Sequence, residues 1–245
     1  MPHGSLDDSM WLSKKRPCGE ITEKRKIITL LDHATELEYQ VRNLFFPKAL
    51  DCVPGYKFED GIMEIKERIR QLSAVARPGE TLFIGVGGEC GSGKTALAKR
   101  LGFPVLSMDD YFQYDFRNGD HDRRKGVNFR LIHRHIKSLR HGKAVTKRVN
   151  TWDERDNMKE LFQPAPIIVV EGLLALDRKL VKEYALKVYV ETERRVARER
   201  VIERDVRERG RTKDGIIQYF EDVIEPLGKI YTRNTKREAD LIIVN

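Results

Sequence analysis

The sequence predicts an α/β fold with a mostly parallel sheet, preceded by a helical extension. From residue 81 onward, short apolar runs alternate with stretches of helical periodicity, which is typical of parallel strands covered by helices. Before that point, apolar residues recur every three to four positions, and this spacing predicts helices alone. The pattern changes at Arg77-Pro78-Gly79. We therefore expect a helical extension over residues 1–78 and the main domain over residues 79–245.

The composition is that of a folded protein from a reducing compartment. Hydrophobic residues make up 40% of the 245 residues, enough for a substantial core. No apolar run reaches the roughly 18 residues that cross a bilayer, and the N-terminal segment, whose first roughly 20 residues we expect to be flexible, lacks a secretory signal. The three cysteines form no CxxC pair, which argues against disulfides or a zinc site. These features predict a cytoplasmic protein with no membrane partner.

Two apolar stripes define the extension. The first predicts a helix from Ile21 to about Phe46, which Pro47 ends, and the second predicts a helix from about Glu59 to Ala76. A striped helix must bury its apolar side. We expect these helices to pack on the main domain or on a second copy of the chain, in preference to a separate partner.

The main domain is expected to alternate strands with helices. The predicted strands are Leu82–Val86, Pro104–Ser107, Ala144–Val149, Ile167–Val170, Leu186–Val190 and Leu241–Val244. The predicted helices are Lys94–Leu101, Val127–Leu139, Arg194–Arg207 and Asp214–Arg233.

A glycine-rich loop of the form GxxxxGK[ST] lies between the first of these strands and the first helix. Its glycines let the backbone N–H groups turn inward toward phosphate oxygens. Its lysine adds a positive charge at the β- and γ-phosphates, and its threonine hydroxyl suits Mg²⁺. The loop therefore predicts a P-loop NTPase three-layer fold that binds ATP and Mg²⁺. Its residues are Gly88, Glu89, Cys90, Gly91, Ser92, Gly93, Lys94 and Thr95.

Carboxylates follow two of the predicted strands. Asp109 and Asp110 come shortly after Pro104–Ser107, and Glu171 ends Ile167–Val170. Because the carboxyl ends of parallel strands share one edge of the sheet, these groups are expected to face the bound phosphates. The alternative for the Asp-Asp pair is a helix N-cap or a solvated turn.

Five sequence blocks occur in an order and at a spacing that resemble the uridine kinase branch of the phosphoribulokinase/uridine kinase family. The resemblance extends from about residue 82 to residue 244. The blocks are GVGGECGSGKT (85–95), VLSMDDYF (105–112), VVEGLLAL (169–176), RDVRERGR (204–211) and YTRNTKREADLIIVN (231–245).

The resemblance implies roles at the matching positions. Asp109 would be the general base that accepts the proton of the acceptor hydroxyl, and Asp109, Thr95 and Glu171 would be the magnesium partners. Lys94 and Arg204 would be catalytic together with Asp109. The arginines that close over the triphosphate would be Arg204, Arg209 and Arg211. The remaining arginines of this stretch fit a solvated helix with Glu–Arg pairs.

The substrate side departs from the family pattern. The segment that carries a Tyr and a His in uridine kinases reads VNTWDER (149–155), and one arginine of the family's pyrimidine pocket falls on Val201. The sequence therefore supports the reaction type better than a pyrimidine acceptor. The candidate substrate contacts are Tyr111, Asp120, His121, Trp152 and Gln218.

The leading hypothesis is an ATP- and Mg²⁺-dependent kinase that phosphorylates the 5′-hydroxyl of a nucleoside. The alternatives are a kinase of another hydroxyl metabolite, such as a sugar or polyol, and a non-catalytic nucleotide-binding regulatory module. The net charge of +8 would also suit a nucleic-acid binder. Nucleic acid is not expected as a partner, because no known binding module is present and eight arginines cluster between Arg194 and Arg211. The family resemblance and the striped extension suggest a homo-oligomer.

Overall fold

The computed structural model of the chain describes residues 55–113, 124–151 and 158–245. All of them belong to one compact unit, Leu50–Asn245. The helix predicted from Ile21 to Phe46 lies outside the described residues. No helix within the described part is long and apolar enough to cross a membrane.

A six-stranded parallel sheet forms the middle layer, in the order β1-β8-β7-β2-β6-β3. The central strand β2 is buried along its whole length, which explains its continuous apolar sequence. The strands are β1 (Gly55–Lys57), β2 (Leu82–Gly88), β3 (Val105–Ser107), β4 (Val145–Arg148), β5 (Lys159–Phe162), β6 (Ile167–Glu171), β7 (Leu186–Glu191) and β8 (Leu241–Val244).

The helices cover the sheet and lead into a tightly wound C-terminal segment. They are α1 (Phe58–Val75), α2 (Lys94–Leu101), α3 (Phe129–Arg140), α4 (Arg194–Arg209), α5 (Lys213–Tyr219) and α6 (Glu225–Leu227). π-Helical turns lie at Phe220–Ile224 and Gly228–Thr232. The 3-10 turns are Met108–Tyr111, Arg124–Gly126, Val181–Glu183 and Arg233–Glu238.

The α/β class and the mostly parallel sheet are confirmed, and most predicted bounds agree with the structure to within two residues. The helix predicted over Asp214–Arg233 is instead divided among α5, α6 and the π-helical turns. The predicted strand Ala144–Val149 exists as β4, but it pairs with β5 in a separate antiparallel hairpin. This β4–β5 hairpin is therefore not part of the main sheet.

The helix α1 belongs with the main sheet. It follows β1, an edge strand that pairs with β8, and a Cβ atom on its residue Gly61 would lie 2.4 Å from Cδ1 of Ile243 in β8. The stripe residues Ile62, Ile65 and Ile69 are buried. The compact unit that contains α1 and the main sheet begins at Leu50.

An extensive apolar cluster lies between the sheet and α3. The α3 side chains Ile132, Ile136 and Leu139 pack there with Phe83 of β2 and Leu106 of β3. The side chain of Asn128 caps α3 by accepting a 3.0 Å hydrogen bond from the N–H of Leu131. This packing fixes the end of β3, which leads directly into the predicted carboxylates.

Candidate active site

The glycine-rich loop connects β2 to α2 in a conformation that requires glycine. Gly91 has φ 77° and Gly93 has φ 94°, values that other residues rarely adopt. A Cβ atom on Gly91 would lie 2.3 Å from the carbonyl oxygen of Ala197, and one on Gly93 would lie 2.1 Å from Nδ2 of Asn245. Close packing and positive φ together hold the loop in its curved form.

The loop is anchored to the ends of β7 and β8. The carbonyl oxygen of Ser92 accepts hydrogen bonds of 2.8 Å from Thr192 Oγ1 and from Asn245 Nδ2. The Lys94 ammonium makes a long contact of 3.5 Å with the carbonyl oxygen of Glu89. The ammonium therefore lies beside a loop whose N–H groups and helix N-terminus favour an anion.

Three strand ends meet at Glu171. This residue ends β6, opposite Val86 of β2 and Ser107 of β3, and it is only 3% exposed. Its Oε2 accepts a 3.0 Å hydrogen bond from Thr95 Oγ1, and its Oε1 accepts a 2.8 Å bond from Ser107 Oγ. The structure thus joins the P-loop threonine to the carboxylate of a neighbouring strand.

Asp109 lies half-buried next to this pair. It follows β3 in a 3-10 turn, and its N–H donates to Ser107 Oγ at 3.3 Å. Burial and the nearby Glu171 carboxylate raise the pKa of Asp109 to about 6, against the opposing effects of Lys94 and Arg209. A carboxylate with a pKa near neutrality suits general-base chemistry.

Three arginines of the predicted lid gather around one carboxylate. Asp205, which is 1% exposed, accepts hydrogen bonds from Arg204 Nε at 2.8 Å and Arg209 Nη1 at 3.3 Å. Arg211 Nη1 lies 3.2 Å from Oδ2 of the same side chain. Burial, followed by repulsion from Arg204, lowers the pKa of Arg209.

Asp205 was missed by the sequence analysis. Its position within RDVRERGR was a usable signal, because it adjoins Arg204 and lies one helical turn before Arg209. Its backbone carbonyl also accepts hydrogen bonds from the N–H groups of Gly210 and Arg211. Asp205 therefore orders both the arginine side chains and the turn that ends α4.

An open cleft of about 350 Å³ separates the P-loop from α4. The P-loop contributes Gly91, Gly93, Lys94 and Thr95, and α4 contributes Arg200, Glu203, Arg204, Arg207 and Glu208. The cleft is a suitable place for a triphosphate, with backbone N–H groups on one wall and guanidinium groups on the other.

The oxygen ligands fit Mg²⁺ bound together with a nucleotide. Within the described residues, no group of three or more His, Cys, Asp or Glu side chains could hold a metal by itself. Mg²⁺ commonly takes one or two protein oxygens and completes its octahedron with phosphate and water. Thr95 Oγ1 and Glu171 Oε2, which are 3.0 Å apart, supply two such oxygens.

Comparisons with known proteins identify the family. Residues 104–245 match the phosphoribulokinase/uridine kinase family. The chain belongs to the phosphoribulokinase/uridine kinase family. A uridine kinase of Staphylococcus aureus is 32% identical over 182 residues, which cover 66% of this chain and 87% of that protein. As a member of this kinase family, the chain is a small-molecule phosphotransferase that acts on an alcohol group.

Solved structures agree with this fold. A candidate fructose transport system kinase from Silicibacter sp. TM1040 has a TM-score of 0.59 and 18% identity, and the match covers 74% of this chain and 98% of that one. A D-glycerate 3-kinase from Cryptococcus neoformans has a TM-score of 0.52 and 11% identity, with coverage of 71% and 89%. At these identities the likeness concerns the fold alone.

The side chain of the P-loop residue Glu89 is bound by an arginine from the C-terminal segment. Its Oε1 accepts a 2.9 Å hydrogen bond from Arg233 Nε, and Arg233 Nη2 donates to both oxygens of Glu225 at 2.9 and 3.0 Å. Although burial favours the neutral form of Glu225, the ion pairs with Arg233 and Arg194 hold its pKa below the ordinary value. In this arrangement only the backbone of Glu89 is available to a phosphate.

Of the five predicted acceptor contacts, the structure describes Tyr111 and Gln218. Tyr111 is 2% exposed in the core, and its hydroxyl lies 2.8 Å from Nδ1 of His135, so its position does not support a substrate contact. Gln218 is exposed on α5. The candidates Asp120, His121 and Trp152 lie outside the described residues.

Two further positions, Val201 and Asp110, have surroundings that bear on the site. Val201, where the resemblance places a pyrimidine-pocket arginine, is fully buried against Ile216 and Phe220. Asp110 does not join Asp109 and Glu171, because its carboxylate is bound by the ammonium of Lys147 at 2.5 Å. The two adjacent aspartates therefore have different surroundings and different partners.

Proposed function

We propose that this chain is an ATP- and Mg²⁺-dependent kinase that phosphorylates the 5′-hydroxyl of a nucleoside. The observation that carries the proposal is the convergence of three groups at one edge of the sheet. The Thr95 hydroxyl is bonded to Glu171, and Asp109 lies beside them with a pKa raised to about 6. These groups are sufficient to bind a metal–nucleotide complex and to deprotonate an alcohol.

Each group has a distinct part in the proposed reaction. The P-loop N–H groups and Lys94 bind the β- and γ-phosphates, and Thr95 with Glu171 holds Mg²⁺. When bound, Mg²⁺ neutralises part of the phosphate charge. Asp109 orients the acceptor hydroxyl and takes its proton as the oxygen attacks the γ-phosphorus.

The lid arginines act from the opposite side of the cleft. Arg204 and Arg209 of α4, with Arg211 just beyond the end of α4, bind the triphosphate and help to exclude water. An arginine that stabilises charge in a phosphoryl-transfer transition state can be worth about 10³–10⁵ in rate. The closure of this wall favours transfer to the acceptor over hydrolysis.

A nucleoside acceptor is supported by the Staphylococcus aureus uridine kinase, which aligns over 87% of its length. A sugar or polyol acceptor is the second candidate, and the burial of Val201 favours it. A valine packed against Ile216 and Phe220 offers no hydrogen bond to the edge of a base. A pyrimidine would have to be recognised by other groups.

ADP release with Mg²⁺-ATP tests the proposal across a panel of uridine, cytidine, purine nucleosides, ribose and polyols. Asp109→Asn serves as the control, since it retains the shape of the side chain but cannot accept the proton. Turnover of a nucleoside that is lost in the variant supports the proposal. Turnover of a sugar or polyol alone selects the second candidate. ADP release that no acceptor stimulates, although Mg²⁺-ATP binds, contradicts both.

A further inference from the structure

The β4–β5 hairpin has an unusual attachment. It does not pair with the main sheet, and its β4 strand contacts α3 and the 3-10 turn that contains Asp109 and Asp110. At this contact lies the ammonium of Lys147, whose side chain is 5% exposed. A buried ammonium is costly unless it is paired, so its partners indicate why it is there.

Lys147 lies between two carboxylates on different segments. Its Nζ is 2.5 Å from Oδ2 of Asp110 and also pairs with Glu160, its register partner on β5. The Asp110 side chain is 8% exposed, whereas that of Glu160 is 50% exposed. The buried half of the network is thus the bond between hairpin and 3-10 turn, and the exposed half joins the two hairpin strands.

The second oxygen of Asp110 is also used. Its Oδ1 accepts a 2.9 Å hydrogen bond from the backbone N–H of Asn150, two residues beyond the end of β4. One carboxylate therefore holds both a side chain of β4 and the backbone that leaves it. Since Asp110 directly follows Asp109, the chain around Asn150 is fixed beside the proposed general base.

The ion pair between Asp110 and Lys147 is better explained by a role in positioning the hairpin than by a contribution to stability. Apolar side chains of similar volume would stabilise a buried contact at least as well as an ion pair. A charged pair, however, is satisfied in one geometry only, because both oxygens of Asp110 and the ammonium require partners. The arrangement therefore specifies where the hairpin lies.

We propose that Asp110 and Lys147 form a clamp that fixes the β4–β5 hairpin beside Asp109 as a wall of the acceptor site. Asp110 is a positioning residue in this view, and the clamp determines acceptor binding without contributing to nucleotide binding. The inference rests on the proposed function for the location of the acceptor. The clamp itself is a property of the folded chain and can be measured without turnover.

Hydrogen exchange of the full-length protein, without nucleotide or acceptor, tests the clamp directly. In Asp110→Asn and in Lys147→Met, amides of β4 and β5 should exchange at least about tenfold faster, whereas those of β6 should be unchanged. The matched control is Glu59→Gln, which removes a carboxylate paired with Arg100 on the exposed surface and should change neither.

A double variant distinguishes the loss of the ion pair from a general loss of stability. In Asp110→Asn/Lys147→Met both buried charges are absent, so its hairpin exchange should increase by less than the product of the two single effects. Unchanged hairpin exchange in both single variants would overturn the clamp. Strictly multiplicative effects of the two substitutions on hairpin exchange would also overturn it. Equal acceleration of exchange in β6 would do the same, because it would mean that the variants merely destabilise the fold.

Steady-state kinetics with uridine test whether the clamp affects acceptor binding. For Asp110→Asn the KM for uridine should rise by about tenfold or more, with the KM for ATP within about twofold of the parent. Equal changes in both KM values would contradict a role confined to the acceptor site. If the parent enzyme does not turn over uridine, the proposed function fails in this respect, and the exchange measurements still decide whether the clamp exists.

Discussion

Replacing Asp109 by asparagine should stabilise the folded protein while it abolishes phosphoryl transfer. The ionised carboxylate is disfavoured by burial and by the neighbouring Glu171, which together raise the pKa of Asp109 to about 6. Asparagine has nearly the same shape and no charge. The variant therefore removes an electrostatic cost that the native protein bears in order to keep a base at this position.

The size of the gain follows from the pKa. The ordinary pKa is 3.8 and the folded-state value is about 6, and one pH unit corresponds to about 1.36 kcal/mol. The upper limit is therefore about 3 kcal/mol at pH 7, and partial exposure of the side chain reduces it. Because the folded-state pKa is raised, the cost begins near pH 3.8, grows to about pH 6 and is constant above that.

Urea unfolding of nucleotide-free protein at several pH values between 4 and 8 measures this effect. The difference in unfolding free energy between Asp109→Asn and the parent should be positive at pH 7 and small at pH 4. Asp110→Asn is the matched control and should have the opposite sign, with a loss of about 1–3 kcal/mol, since it leaves the ammonium of Lys147 poorly paired. A less stable Asp109→Asn protein, or a difference that does not vary with pH, would refute the reasoning.

Three further predictions concern the nucleotide side and the base. Asp205→Asn should weaken ATP binding by about tenfold and AMP binding much less, because Asp205 orders Arg204, which lines the cleft proposed for the triphosphate; in titration calorimetry Glu199→Gln, which removes an exposed carboxylate, should leave both affinities unchanged. Gly91→Ala should lose ATP binding while near-native circular dichroism is retained, since its Cβ would lie 2.3 Å from the carbonyl oxygen of Ala197. For the active kinase, kcat/KM should rise with pH up to about 6 and then level off as Asp109 loses its proton; a profile flat from pH 5 to 8 would argue against this base.

The P-loop and the carboxylates at the strand ends could be predicted because local sequence determines them. A segment with glycines at positions 91 and 93, entered from an apolar strand and followed by a helix, has few conformations other than the one observed. Parallel strands likewise bring their carboxyl ends together, and Thr95 and Glu171 are in contact as that rule requires.

The strand β1 could not be predicted because nothing local stabilises it. Its first residue, Gly55, belongs to the Pro54-Gly55 pair, which signals a turn. They are extended because their backbone pairs with β8, at the other end of the domain. The pairing with β8 therefore outweighs the local turn signal. It also places α1, which follows β1, in the same compact unit as the main sheet.

The different roles of the two adjacent aspartates at the site also could not be predicted from local sequence. As sequence, Asp109 and Asp110 are equivalent candidates for a base. Their roles separate because Asp109 faces Glu171 and Lys94, whereas Asp110 faces Lys147. Asp109 was distinguished from Asp110 by a family resemblance, and the sequence contains no signal for the bond between Asp110 and the hairpin.

The nucleotide and the acceptor are thus bound by different kinds of structure. Phosphate binding depends mainly on a contiguous loop whose geometry is enforced by glycine, so substitutions there should affect every reaction of the enzyme alike. The acceptor side depends on a hairpin outside the main sheet, which a buried ion pair joins to the turn that carries the base. Changes at Asp110 or Lys147 can move that wall while the P-loop stays in place. For this reason they are the substitutions that should separate acceptor binding from nucleotide binding.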